Sequence, residues 1–135
     1  MSVSQSLRGQ AYVVEKYVTL AATSGTTVGP SIPAGTLVLS AGVEVLAAVP
    51  DVTTYTIDVT DGTTVFANDV SVDNVAKGTI VLGTTAGLIS AADTVDAVTT
   101  ISGSPGTIAA RIFAVCVDVT DSVTKGASVT RNLLA

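Results

Sequence analysis

Thr53–Gly62, TTYTIDVTDG, is the stretch on which the fold turns. Tyr55, Ile57 and Val59 alternate with Thr54, Thr56, Asp58 and Thr60, a period of two that gives a strand one apolar and one polar face. Asp61-Gly62 then supplies the residue types of a tight turn. Before it, Ser31–Val49, SIPAGTLVLSAGVEVLAAV, opens on Ile32-Pro33-Ala34-Gly35, where proline presets φ and glycine provides a positive φ. The turn delivers a second strand in which Leu37, Leu39, Ala41, Val43 and Val45 are expected to face the core. Thr36, Val38, Ser40, Gly42 and Glu44 fall on the other side.

Working outward, AYVVEKYVTLAA reads as a first strand of mixed pattern, and Ala22–Gly35 as a Gly, Pro and Thr-rich connection. Thr64–Val72 is an irregular segment carrying an acid, Thr79–Leu82 is a short apolar strand between glycines, and DTVDAVTTIS alternates in part. Gly103-Ser104-Pro105-Gly106 is a turn leading into TIAARIFAVCVDVTD, a long, nearly uninterrupted apolar strand that belongs in the middle of a sheet. Short strands at fairly regular spacing, with no amphipathic helix, predict an all-β fold: an antiparallel β-sandwich of the jelly-roll type. Residues 1–10 read as an N-terminal arm, 11–121 as the sandwich domain and 122–135 as a C-terminal tail.

The chain has 135 residues, the length of one domain. It is 47% hydrophobic and 13% charged, against roughly 25% charged in an ordinary soluble domain. That leaves more apolar surface than one small core needs, a surplus suited to contacts with other chains. The net charge of -5 and six scattered basic residues give no phosphate-neutralising stripe, so no nucleic-acid partner is expected. MSVSQSLRGQ has no apolar signal core and no apolar run approaches a spanning helix, so synthesis in a cytoplasm and no membrane partner are expected.

The sequence has no histidine, which removes the commonest general base and transition-metal ligand. Cys116, the single cysteine, sits in an apolar run and reads as a small buried hydrophobe. Asp58, Asp61, Asp69 and Asp73 lie close in sequence, but their spacing fits no calcium loop; a strand-surface role for Asp58 and a turn cap at Asp61 are the ordinary readings. Asp93 and Asp96 are near enough to suggest a glycosidase pair, in a chain with no tryptophan to line a sugar cleft. GTTAG and GSPG match no phosphate-binding loop and read as turns. No enzyme activity, cofactor or metal is expected. Lys16 and Arg111 each stand among apolar neighbours, where a cation snorkels outward at an edge or pairs with an acid at an interface.

What remains is surface. Threonine, serine and valine take the open strand positions where lysine and glutamate keep monomers apart, and both ends, MSVSQSLRGQ and TKGASVTRNLLA, carry cations on an acidic body. These features point to a structural, self-associating protein.

The series IPAGTLVLSAGVEVLAAV, TTYTIDVTDGTTVFANDV, GTIVLGTTAGLISAADTVDAVTT and GSPGTIAARIFAVCVDV resembles the small jelly-roll proteins of tailed bacteriophages. In these an IPAG turn starts a strand, a DVGDGT-like turn follows, and a late apolar strand closes on a valine-aspartate pair. The resemblance spans Tyr17 to Thr120, with Thr60 replacing the glycine of the middle turn. Some of these proteins are capsid decoration, or cement, proteins. The resemblance implies a homotrimer on the outer surface of the virion head, bound to the major capsid protein and stabilising the shell. The arm Ser2–Gln10, with Arg8, would grip the capsid. Ser2, Arg8, Lys16 and Arg111 are the candidate partner-binding residues. Head-fibre or tail-associated adhesins share the pattern, and a secreted carbohydrate-binding sandwich is the alternative from another class. That last class calls for exposed stacking aromatics, and the tyrosines here are Tyr12, Tyr17 and Tyr55.

Overall fold

The structure is a computed structural model and describes residues 10–119. Ser2 and Arg8 lie outside the described residues. Eleven strands follow one another and no helix occurs among the described residues: β1 (Ala11–Leu20), β2 (Gly25–Thr27), β3 (Ser31–Ile32), β4 (Thr36–Val45), β5 (Thr54–Thr60), β6 (Val65–Ser71), β7 (Ile80–Leu82), β8 (Gly87–Ile89), β9 (Asp93–Thr94), β10 (Asp96–Ser102) and β11 (Ile108–Asp118).

Sheet A runs β1-β11-β4, with β7 and β8 sharing the far side of β4; sheet B runs β2-β10-β5-β6; β3 and β9 form a small ladder of their own. All pairings are antiparallel and they nest. β1 pairs with β11, β2 with β10, β4 with β7 and β8, and β5 with β6. Nesting of this kind is a long hairpin wrapped round itself, the strand order of a jelly roll, and it makes the antiparallel sandwich expected from the sequence. Val43, Ile112 and Ala114 of sheet A pack with Tyr55, Ile57, Val59 and Ala97 of sheet B in one dry core.

The alternation of β5 holds throughout: Tyr55, Ile57 and Val59 are buried, and their even-numbered neighbours half-buried. In β4 it fails half-way. Ala41, Val43 and Val45 face the core as expected, but Val38 and Thr36 are buried in place of Leu37 and Leu39, and Leu39 is 42% exposed. The cause is a bulge. Val115 pairs with Ser40 and Cys116 with Val38, so Leu39 is the extra residue and everything before it changes face. Thr64–Val72, expected to be irregular, contains strand β6, whose register with β5 slips twice. Asp69 sits there at φ 49°, its N–H donated to the Asp58 carboxylate.

Candidate interaction surface

Asp58, Asp61, Asp73, Asp93 and Asp96 each accept a backbone N–H. Asp61 Oδ1 accepts the N–H groups of Thr63 (2.8 Å) and Thr64 (2.6 Å), and Gly62 takes φ 91°, so the Asp61-Gly62 turn is capped from within. Asp73 Oδ1 accepts from Val52 N–H at 2.7 Å, and Asp96 Oδ1 from Gly29 N–H at 3.2 Å. Asp93 caps the adjacent Thr94 N–H. No group of three or more metal-ligating side chains forms among the described residues. A hollow of about 420 Å³ beside the β3–β9 ladder, lined by Ser31, Ile32, Pro33, Ala92, Asp93 and Thr94, offers a single carboxylate with no second titratable side chain beside it. Cys116 is fully buried, and that burial raises its thiol pKa, which makes it a poor nucleophile.

The informative surface is the outer side of sheet A. Because β1 and β11 pair in register, their odd-numbered residues share that side: Val13 stands beside Val115, Glu15 beside Phe113 and Tyr17 beside Arg111. Across β4 and β7 the rows continue, from Phe113 through Gly42 to Leu82, and from Arg111 through Glu44 to Ile80. Beyond the bulge, Val117, Leu37 and Leu88 make a third row. Val13, Tyr17 and Leu82 are 56%, 66% and 57% exposed, and Ile80 and Leu88 are exposed as well. No described strand covers them.

Arg111 lies at the centre of this side. β11 is flanked by β1 and β4, so Arg111 is not on an edge and takes the paired arrangement. Its Nη1 donates to Glu15 Oε1 at 2.8 Å and its Nε to Glu44 Oε1 at 3.1 Å. The hydrogen bond that the guanidinium donates to Glu15, with Glu44 acting in the same direction, raises the Arg111 pKa. Its guanidinium also lies over the Phe113 ring, 4.7 Å from the centroid. Phe113 can lie flat because Gly42 has no side chain. A Cβ there would stand 2.9 Å from Phe113 Cζ and 2.1 Å from the Val81 carbonyl oxygen.

Lys16 is in another place. It belongs to the inward row of β1, opposite Ile112, yet is exposed because β1 is the edge of sheet A. An inward-directed lysine on an edge strand guards that edge against stray pairing. The structure therefore does not bring Lys16 and Arg111 together. Sequence reasoning missed Val13, Leu82, Leu88 and the Phe113–Gly42 contact. The available signal was β11, whose odd-numbered residues are nearly as apolar as its even ones, a pattern of strands covered on both faces.

No protein-family model matches this chain, and no curated protein matches it. Among solved structures, one titled "Acidic stable capsid structure of Helicobacter pylori bacteriophage KHP30" is similar at 14% sequence identity and a TM-score of 0.49. The match covers 78% of this chain and 91% of that one.

Proposed function

We propose that this chain is a structural protein of a tailed-bacteriophage virion, a head-decoration subunit that binds the outside of the capsid as a homotrimer and has no catalytic role. The observation that carries the reading is the outer side of sheet A, an apolar surface on which Glu15 and Glu44 share the single cation Arg111. Such a surface suits burial against protein, since its apolar side chains gain from leaving water and its one cation is already held by two carboxylates. The order of the IPAG, DVTDGT and GSPG turns and the closing Val117-Asp118 pair supply the phage resemblance. A charge-poor module holds a shell through many small contacts, and repetition over the lattice multiplies each of them. The capsid grip is assigned to the arm Ser2–Gln10 with Arg8. A sugar-binding role is disfavoured because Tyr55 is buried and Tyr12 and Tyr17, five residues apart on one strand, belong to opposite rows and make no common stacking platform.

The test is co-sedimentation with expanded phage heads stripped of their decoration protein. The full chain is expected to pellet with heads and to saturate, and a chain lacking Ser2–Gln10 to stay in solution. A full chain that remains in the supernatant at every salt concentration overturns the assignment.

A further inference from the structure

We propose that Asp61-Gly62 is a modification site, a place where the chain isomerises to isoaspartate, and that the fold keeps it shut with the Thr60 hydroxyl as its latch. The inference concerns the chemistry of one turn and does not depend on the virion assignment.

The sequence supplies the reactants. Isomerisation begins when the amide nitrogen after an aspartate attacks that aspartate's Cγ. The N–Cγ bond forms, the amide proton leaves with the carboxyl OH as water, and a five-membered imide closes. Water then opens the imide at either carbonyl, and opening on the former main-chain side leaves an isoaspartyl linkage with one more carbon in the backbone. No other reactant is consumed. A side chain on the following residue hinders the approach, and Asp61 is the one aspartate or asparagine in the sequence that glycine follows. Asp93 makes the contrast. Its Oδ1 lies 2.8 Å from the next amide nitrogen, but that amide belongs to the β-branched Thr94.

The structure supplies the lock. Gly62 takes φ 91° with open space where a Cβ would stand, so sterics alone leave its amide within reach. The reacting atoms are instead engaged elsewhere. Asp61 Oδ1 reaches past Gly62 to accept the N–H groups of Thr63 and Thr64, and the Gly62 N–H turns back to donate to Thr60 Oγ1 at 2.9 Å. Thr60 Oγ1 in turn donates to the Thr64 carbonyl at 2.7 Å, which also accepts the Asp61 N–H. One hydroxyl thus holds the attacking nitrogen and ties the two ends of the turn together.

Cyclisation requires those bonds to break first. The Asp61 carboxyl must leave the Thr63 and Thr64 N–H groups, and the Gly62 amide must leave Thr60. All of these bonds are local, so the turn can open while the sheets stay closed, and the rate of isomerisation reports the latch rather than global stability. The isoaspartyl product lengthens the connection between Thr60 and Val65, the pair that closes β5 on β6.

The experiment incubates the full chain at neutral pH, counts isoaspartate by enzymatic methyl transfer to its free α-carboxyl, and locates it by electron-transfer fragmentation. The folded wild type should accumulate it at Asp61, at least about tenfold more slowly than the same chain in urea, since two or more hydrogen bonds must open. Thr60→Val keeps the shape of the side chain without its hydroxyl and should raise the folded rate at least about fivefold, the factor for one lost hydrogen bond. Thr60→Ser retains the hydroxyl and should stay within about twofold of wild type. Ile112→Val lowers global stability from the core without touching the turn and should leave the rate unchanged. A folded Thr60→Val variant that isomerises no faster than wild type overturns the inference. So does a rise in Ile112→Val as large as that in Thr60→Val, because the site would then open by global unfolding. Should Thr60→Val fail to fold, the wild type decides: equal rates folded and in urea, or isoaspartate arising elsewhere than Asp61, overturn the inference, and a slow folded rate at Asp61 that Thr60→Ser preserves supports it.

Discussion

The two sheets of the sandwich close over one core, and their outer sides end in opposite chemistry. On sheet B the outward positions are Thr54, Thr56, Asp58 and Thr60 of β5, facing Ser102, Thr100, Val98 and Asp96 of β10. On sheet A they are Val13 and Tyr17, Phe113 and Val115, and Leu82. Sheet B is finished as a polar surface, its hydroxyls and carboxylates meeting water and nearby backbone N–H groups, as Asp58 does with Asp69 and Asp96 with Gly29. Sheet A has the residue content of an interior on both sides, and only one of them is covered within the described chain. The difference teaches that strand count and layer order set the fold, while the chemistry of the uncovered side records what the fold is for.

The sharpest way to break this contrast is at Gly42, where sheet A is locked by a contact with no counterpart on sheet B. Gly42→Ala places a methyl group 2.1 Å from the Val81 carbonyl oxygen and under Phe113, and should cost about 2–3 kcal/mol in urea unfolding. A loss no larger than that of Thr56→Ala would show that β4 and β7 yield freely and that the Phe113 seat is not structural.

Each sheet also hides one ionisable group on its inner side, Cys116 on sheet A and Tyr55 on sheet B, and burial raises both pKa values. The Tyr55 hydroxyl has no hydrogen-bond partner, so nothing local favours its ionised form. For both groups the folded pKa lies above the unfolded one. Their contribution is complete at neutral pH and is lost as pH rises, first through the unfolded thiol near pH ~8.5 and then the phenol near ~10. Stability should fall by about 1.4 kcal/mol per pH unit for each group in its window. In Cys116→Ala the first part of the fall should disappear and the second remain. A stability curve flat to pH 11 would contradict the burial of both.

Arg111→Met keeps the aliphatic stem but leaves Glu15 and Glu44 without their shared cation. Glu15 is nearly half exposed and Glu44 less so, so water screens the pair and the expected loss is about 1 kcal/mol. It should shrink at about 1 M salt, where the Debye length is near 3 Å. A loss that ignores salt would mean that the guanidinium acts through its packing on Phe113. The smallest effect belongs to sheet B: Thr56→Lys should change stability by no more than about 0.5 kcal/mol, since its side is already solvated.

The residues differ in how far they could be read in advance. Tyr55, Ile57 and Val59 declare themselves because a strand with one wet side keeps a strict period of two. The role of Asp61 follows from its neighbour Gly62, and the burial of Cys116 from the apolar run around it. Arg111 could be flagged as a cation in an apolar strand but not resolved, because its partners Glu15 and Glu44 lie 96 and 67 positions away. Ser2 and Arg8 fall outside the described residues, and Lys16, which looks alike in sequence, serves an edge.

By itself the sequence determined the all-β class, the turns at Gly35 and Gly62, the central place of β11 and the surplus of apolar surface, because each depends on residues within a few positions of one another. Only the tertiary structure decided which side of the first half of β4 is inside, and which apolar side of β11 stays uncovered. The bulge at Leu39 turns Val38 inward and Leu37 outward, and the pairing of β11 with both β1 and β4 gathers Glu15, Arg111 and Glu44 on one apolar side. Register between strands is set by the packing of distant segments, and a slip of one residue exchanges inside for outside without changing a letter of the sequence.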